Sequence, residues 1–423
     1  MSDDAPANAQ RENEARDDPP VSVFTGPVRR YLLARFCVAV AFQIQGVAVG
    51  WYIYSLTDSA LDLGFVGLAM FLPQAGLALF AGQVIDRFPR RRVLLTAWTM
   101  QAFAGSAIAL LALLDLHRIG LIYLLISCYG AGRAFEQPAQ AAMLPSLVPV
   151  PLFPRVTPVN SLMTQSAVVI GPALGGLLFI FGAPVAFLGA VTMLCVGIAA
   201  VYALPRTVAR PAQPLSWESF LGGISFIRRA EAVKGAILLD MFGVLFGGGA
   251  TTLLPIFARD IFTIGPVGLG LMRSAPAIGA LVSGLYLARH PPEHHIGRRM
   301  FIAVAIFGAA TIVFGLSHSL VLSFAALIVL GAADVVSVVV RSTLVQTATP
   351  DAIRGRVSAV NSLFVGTSNQ LGAFEAGVTA EWFGAVGAVA LGGAITLLVV
   401  GVASQCFPAL RRMDRFIMAP EHQ

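Results

Sequence analysis

Charge, lysine and cysteine are all scarce in this chain, and each scarcity removes a class of function. Aspartate, glutamate, lysine and arginine make up 12% of 423 residues, which argues against the two or three soluble domains that the length alone would suggest. Lys234 is the only lysine and follows no glycine-rich phosphate loop. A Walker-type ATPase is therefore excluded, and any driving force must come from a gradient or a partner. Cys37, Cys128, Cys195 and Cys406 stand singly, in no metal-binding spacing, and read as small buried hydrophobes. His290, His294 and His295 flank Pro291 and Pro292 without a cysteine or carboxylate cage, so they read as a solvated loop and not a metal site. No ordered set of nucleophile, base and oxyanion donor emerges, and no enzyme is expected.

What the chain has in abundance is hydrocarbon. Hydrophobic residues make up 57% and the mean hydropathy is +0.79. They come as runs near 31 to 55, 62 to 85, 93 to 115, 119 to 143, 157 to 181 and 184 to 204, and then 235 to 258, 267 to 288, 300 to 317, 320 to 345, 357 to 380 and 384 to 407. Each is close to the roughly 20 residues that a bilayer core requires. The expected fold is an all-α integral membrane protein with twelve transmembrane helices.

The chain also repeats itself. Arg155-Val-Thr-Pro-Val-Asn-Ser-Leu162 returns as Arg356-Val-Ser-Ala-Val-Asn-Ser-Leu363, an offset of 201 positions that also relates Pro149 to Pro350, Gly171 to Gly372 and Gly176 to Gly377. Two six-helix bundles, residues 31–204 and 235–407, are expected, with the substrate handled where they meet. The first 20 residues are polar and acid-rich, with no apolar stretch before the first span, and residues 1–30 read as a disordered tail without a cleaved signal. Residues 408–423 form a second tail. In the connecting segment 205–234, Trp217, Phe220, Leu221, Ile224 and Ile227 share one helical face, Ser216 can cap its start, and Arg228 and Arg229 close it. A helix lying on the membrane surface is expected there, with a partner-binding helix as the alternative.

Basic residues fix the orientation. With the amino terminus in the cytoplasm, Arg87, Arg90 to Arg92, Arg206, Arg210, Arg228, Arg229, Arg298, Arg299, Arg354, Arg356, Arg411, Arg412 and Arg415 fall on the cytoplasmic side, against Arg118 and Arg259 on the other. This is the positive-inside pattern. It accounts for the net charge of +6 without any nucleic-acid partner.

After the second span comes Gly82-Gln-Val-Ile-Asp86-Arg87-Phe-Pro-Arg90-Arg91-Arg-Val-Leu94, which resembles the signature loop between helices two and three of the major facilitator superfamily. Pro89 stands where that pattern has glycine, and the corresponding second-half loop, Ala288 to Arg299, keeps basic charge but lacks the acid. An acid beyond a helix end can accept from the exposed N–H groups of a neighbouring helix start. The resemblance implies that Asp86 does so for the eleventh helix near Val357, with Arg87 and Arg91 reinforcing a latch that favours one access state. Gly171-Pro172-Ala-Leu-Gly175-Gly176 is similar to the end of the superfamily's antiporter motif, although Ala167 and Pro158 replace its upstream glycines. Tight helix packing alone is the other reading of that segment. Arg133, followed by Glu136 and Gln137, resembles a further motif whose arginine is implicated in proton coupling. In the second half, Leu239 to Gly243, Thr252 to Asp260, Arg341 to Asp351 and Arg354 to Leu363 resemble the enterobactin-exporter-like branch, which neighbours macrolide efflux proteins. The resemblance covers residues 25 to 410.

Ionisable groups inside spans are costly and mark candidate functional sites. Here they are Arg133 and Glu136 in the first half, and Asp240, Asp334, Arg341 and Glu375 in the second. Glu136, one turn away, can pair with Arg133. Asp334 and Arg341 share a face of the tenth span but lie roughly 10 Å apart along it, too far for a direct bridge. Arg341 either pairs elsewhere or snorkels to the interface. A carboxylate that meets water on one side and an arginine on the other can load and release a proton. Asp240 or Glu136 is the expected carrier, with Asp334 and Glu375 in reserve and plain structural pairing as the alternative for each. Gln43, Gln45, Trp51, Gln165, Asn361, Asn369 and Gln370 are the candidate cavity residues, amides and an aromatic suited to an amphiphilic molecule.

The sequence thus points to a monomeric exporter in a bacterial cytoplasmic membrane, with both termini in the cytoplasm and no cofactor beyond a proton gradient. Its expected partners are protons, the lipid bilayer and a siderophore-like or drug-like small molecule. An importer or facilitator of a small nutrient, and a non-transporting scaffold or sensor, are the alternatives.

Overall fold

The computed structural model describes residues 26–148, 152–205 and 217–416, and the described residues form helices joined by short turns, with no strand among them. Lipid explains this, because a backbone without water must satisfy its own hydrogen bonds. The first half comprises α1 Gly26–Thr57, α2 Ala60–Arg87, α3 Arg90–Leu113, α4 Ile119–Leu147, α5 Phe153–Phe179 and α6 Ala183–Tyr202. A connecting helix, α7 Trp217–Arg229, precedes the second half. That half comprises α8 Glu231–Gly247, α9 Gly249–Thr252, α10 Leu254–Ile256, α11 Gly265–Arg289, α12 Ile296–Leu316, α13 Leu320–Ala348, α14 Asp351–Cys406 and the short α15 Pro408–Arg411.

Ten stretches among the described residues are long and apolar enough to cross a membrane. The last runs through α14, whose 56 residues are broken at Gly384, where φ is 73° and ψ 164°. Glycine adopts that conformation without penalty, so α14 holds the eleventh and twelfth spans. α4 is not among the ten, because Arg133, Glu136 and Gln137 dilute its apolar character. With α4 included, the helices fit the twelve expected crossings.

The seventh span departs from a continuous helix over 235–258. Gly247, Gly248 and Gly249 separate α8 from α9, Pro255 removes a backbone donor in α10, and a π-turn at Phe257–Ile261 completes the crossing.

Each half repeats one packing plan. α1 lies against α5 and α6, α2 against α4, and α3 against α4 and α6. In the second half α11 lies against α13, α12 against α13 and α14, and α8 against α14. The 201-residue offset that relates the two octapeptides also takes both ends of α4 onto the ends of α13. The halves meet where α2 packs on α14 and α5 on α11.

α7 is placed differently from a helix resting on lipid. Its Ile227 is buried with Val345, Val357 and Val360 of the second half, and a methyl at Gly223 would stand 3.0 Å from the Arg356 carbonyl oxygen. That part of the apolar face is covered by protein. The tail after α14 also docks, since the Ile296 and Gly297 amides donate to the carbonyls of Asp414 and Met413 at 3.2 and 3.0 Å. Residues 1–25, Arg206, Arg210 and Ser216 lie outside the described residues, as do the side chains of Asp86, Trp217, Phe220 and Leu221.

Candidate functional site

An even number of crossings puts Gly26 and Phe416 on one side, here called the terminal side. Among the described residues, the hydrogen bonds and ion pairs that join the halves lie at mid-membrane or on the opposite side. Asp58, at the end of α1, meets Arg259 at 2.6 Å. The Arg259 guanidinium also donates to the Tyr54 carbonyl at 3.1 Å and stands over the Tyr54 ring, while the Tyr54 hydroxyl donates to Asp260. Small residues let the backbones close together beside this cluster. A methyl at Gly64 of α2 would lie 3.1 Å from the Phe374 carbonyl oxygen and 3.2 Å from Gly377 Cα. Gly176 of α5 packs likewise on Gly270 of α11, where the added methyl would be 3.2 Å from Gly270 Cα.

The antiporter-like segment therefore has two faces. Gly176 and the Pro172 carbonyl meet α11 across the interface, whereas Gly171 and Gly175 pack on α1 at Gln43, Ile44 and Val47. The segment thus packs closely both within its own half and across the interface.

Between the halves, beyond this closed end, lies a cavity of about 1150 Å³. Gln45, Asn361, Asn369 and Gln370 line it, together with Arg133 and Arg341 and apolar walls at Phe42, Leu63, Met70 and Phe71. Gln43, Trp51 and Gln165 are not among its lining residues. Gln43 faces Gly171 within the first half, and Trp51 meets Phe179 edge-on with ring centroids 6.4 Å apart.

Two buried clusters of charge flank the cavity. In the first half Glu136 is 2% exposed and accepts three bonds, from Arg133 at 2.8 Å, Gln101 at 2.7 Å and Gln140 at 3.0 Å. Arg35 of α1 extends the network to Gln140 and, at 3.2 Å, to Thr164. Arg133 also stands 4.1 Å from the Phe42 ring centroid, an arrangement favourable to a cation. In the second half Arg341 meets Asp240 at 3.1 Å, Ser337 donates to the other Asp240 oxygen at 2.8 Å, and Arg341 reaches Asn361 at 3.4 Å. Arg341 is thus buried and paired, and does not snorkel. Asp334 lines a small void with Asp240 and Ser337, about 10 Å³ in volume, at the lower bound for one water.

The repeat relates these clusters with their charges exchanged. Moving 201 positions takes Arg133 to Asp334, Glu136 to Ser337 and Gln140 to Arg341. The first cluster holds two arginines and one acid, the second two acids and one arginine. Glu375 stands apart, accepting from Thr379 one turn along its own helix at 2.8 Å.

In the signature loop, Gly82 and Asp86 lie in the last two turns of α2, and Arg87 is its exposed final residue. Arg90 donates to the Ala142 carbonyl at 2.7 Å, and Arg91 donates to the Tyr202 carbonyl and stands over that ring at 5.1 Å. Both arginines are thus held by α4 and α6 of their own half.

Arg273 of α11, which also lines the cavity, Arg35, and the polar partners Gln101 and Ser337 are additions to the residues singled out from sequence. The signal for the two arginines is present in the sequence, since a cation within an apolar run is as costly at 35 or 273 as at 341. Gln101 and Ser337 carry no such signal.

A family model described as a transmembrane secretion effector matches residues 24–423. The chain is 27% identical over 383 residues to the enterobactin exporter EntS of Escherichia coli O1:K1, covering 88% of this chain and 90% of that protein. Its fold is similar to that of the nucleoside transporter NupG, with a TM-score of 0.69, 17% identity and coverage of 92% and 100% of the two chains. It is also similar to an inward-facing, occupied bacterial homologue of the human lysosomal transporter Spinster, with a TM-score of 0.72, 13% identity and coverage of 91% and 96%. The paired halves, the cavity between them and these likenesses agree: the chain belongs to the transmembrane secretion effector family of the major facilitator superfamily and is a multi-pass membrane transporter.

Proposed function

We propose that this transporter exports a siderophore-like or drug-like amphiphile across the cytoplasmic membrane of a bacterium, by alternating access and in exchange for protons. One observation carries the reading: the cavity of about 1150 Å³ lies between two repeated halves that close against each other away from the termini. Amides set among apolar walls suit a molecule with both characters. The likeness to an enterobactin exporter over most of both chains supports outward transport of a siderophore-like cargo.

The arginine-rich loops support a cytoplasmic terminal side, and with that orientation the halves are closed on the outer side at Asp58–Arg259 and Gly64–Gly377. Arg87, Arg90 and Arg91 then lie on the cytoplasmic side, with Arg90 and Arg91 held within their own half, and the latch that the sequence resemblance implies for Asp86 belongs to the gate on that side.

For the proton, the second cluster is better suited than the first. Glu136 is held by three donors and has no reason to release them. Asp240 and Asp334 line one void and the cluster holds one arginine, Arg341, which is paired with Asp240, so the cluster reaches neutrality by taking up one proton.

The test is proton movement in proteoliposomes under an imposed pH gradient, challenged with catecholate siderophores and amphiphilic antibiotics. Compound-evoked proton flux that Asp240→Asn removes is the expected result. Substrate movement without protons would sink the coupling, and movement only toward the terminal side would turn the exporter into an importer.

A further inference from the structure

The charge of the cavity wall is one-sided. Among the described residues no aspartate or glutamate lines it, while Arg133, Arg273 and Arg341 all do. Glu136 compensates Arg133, and Asp240 compensates Arg341. Arg273 has no such partner among the described residues: its only hydrogen bond runs from Nη1 to the Gly46 carbonyl oxygen of α1, 3.0 Å away. It sits eight residues into α11, roughly 12 Å along a core of about 30 Å, and so near mid-membrane.

The recess is built for it. A methyl at Gly46 would stand 3.1 Å from Arg273 Nη2, and one at Gly50 would stand 4.0 Å from Nη1. The missing side chains of α1 make room for the fork. A neutral carbonyl does not cancel a guanidinium charge, and a cation held in apolar surroundings needs water or an anion. Arginine carries five N–H donors in one plane, matched to two oxygens of an anionic group. Phe42, Leu63, Met70 and Phe71 lie along the same cavity.

We propose that Arg273 is the anchor for an anionic group of the cargo, and that the cargo class is an organic anion with an apolar body. The proposal rests on the reading of this cavity as the transport site. The same guanidinium ties the two halves together through Gly46. An anion that draws the fork away removes one bond across the interface, so loading the cavity loosens its closed end.

Dansylglycine, its neutral amide and the cationic dansylethylenediamine share one fluorophore and differ in charge. Fluorescence titration of the full purified chain in detergent should show dansylglycine binding about tenfold or more tighter than the amide, the increment of a charge-assisted hydrogen bond. Arg273→Met should erase that preference, and Gly46→Ala should weaken it by crowding the fork. Arg273→Lys, which keeps the charge and loses the fork, should retain part of it and serves where Arg273→Met does not fold. Equal affinity for the three probes, no binding of any, or a preference that survives Arg273→Met would overturn the anchor. Loss of dansylglycine binding on adding phosphatidylglycerol to the micelles would assign the site to a lipid headgroup and overturn it as well. Direction is read separately in oriented vesicles. An Arg273-dependent preference with inward flux leaves the anchor standing and removes the exporter, and outward flux without anion preference does the reverse.

Discussion

Arg341 of the tenth span lies 3.1 Å from Asp240 of the seventh, and both side chains are about 5% exposed or less. Neutralising one partner leaves the other charge buried without its counter-ion, a cost of about 3–5 kcal/mol. Arg341→Gln should therefore destabilise the protein by about that amount in reversible detergent unfolding. The double change Asp240→Asn with Arg341→Gln should recover most of the loss, because two neutral amides replace the pair. If the double variant were as unstable as the single one, the pair would not be the reason for the loss.

The closed end depends on helices that touch through hydrogen atoms. A leucine in place of Gly377 must displace Gly64, whose Cα would stand 2.8 Å from the new Cβ. The halves should then be wedged apart on that side while the core of each stays intact. In a chain freed of its four cysteines and carrying Ser342→Cys in the cavity wall, Gly377→Leu should increase labelling by a membrane-impermeant thiol reagent applied from the side opposite the termini. Unchanged labelling from that side would mean that this contact does not hold the gate.

Much of this arrangement is legible in the sequence and some of it is not. The repeat at Arg155 and Arg356 gives two halves, apolar length gives the crossings, and Asp240, Arg341, Arg133 and Glu136 are visible as costly charges in apolar runs. The partner of Arg341 is not visible, because Asp240 and Arg341 are brought together only by the packing of two separate spans. Facing is also unreadable, since spans buried on several sides show little amphipathic bias. Gln45 reaches the cavity while Gln43 packs on Gly171 and Trp51 on Phe179. Nor does the sequence show which gate is closed, since the chain must be able to close either one.

Arg259 and Asp58 form the outermost link, at 2.6 Å, with Asp58 71% exposed and Arg259 35%. So wet a pair is worth about 1 kcal/mol at most. That is too little to hold a fold and enough to tilt two states by about fivefold. Asp58→Asn should leave overall stability within error and shift the distribution between access states, as read by distance measurements between spin labels on the two halves. High salt should move the wild-type distribution toward that of the variant and have little effect on the variant's own. A large loss of stability would show that the pair supports the fold rather than the gate.

Asp414 ties the carboxyl-terminal segment to the start of α12, accepting from the His294 ring at 2.9 Å and from the His295 backbone N–H at 2.9 Å. The His294 bond first, and the His295 amide after it, hold its carboxyl below the ordinary aspartate value. The sign follows from linkage. A group whose pKa is lowered on docking contributes fully above its undocked value of about 3.9 and loses that contribution as pH falls through the lowered one. Protection of the Ile296 and Gly297 amides, which donate to the Asp414 and Met413 carbonyls, reports docking by hydrogen exchange once corrected for intrinsic rates. Asp414 should therefore impose no loss of protection from neutral pH down to about 4, and loss should set in below it. Asp414→Asn should lower protection at neutral pH, since an amide accepts these bonds more weakly than a carboxylate. Protection lost above the ordinary aspartate range in the wild type, and equally in Asp414→Asn, would show that a different group governs the tail.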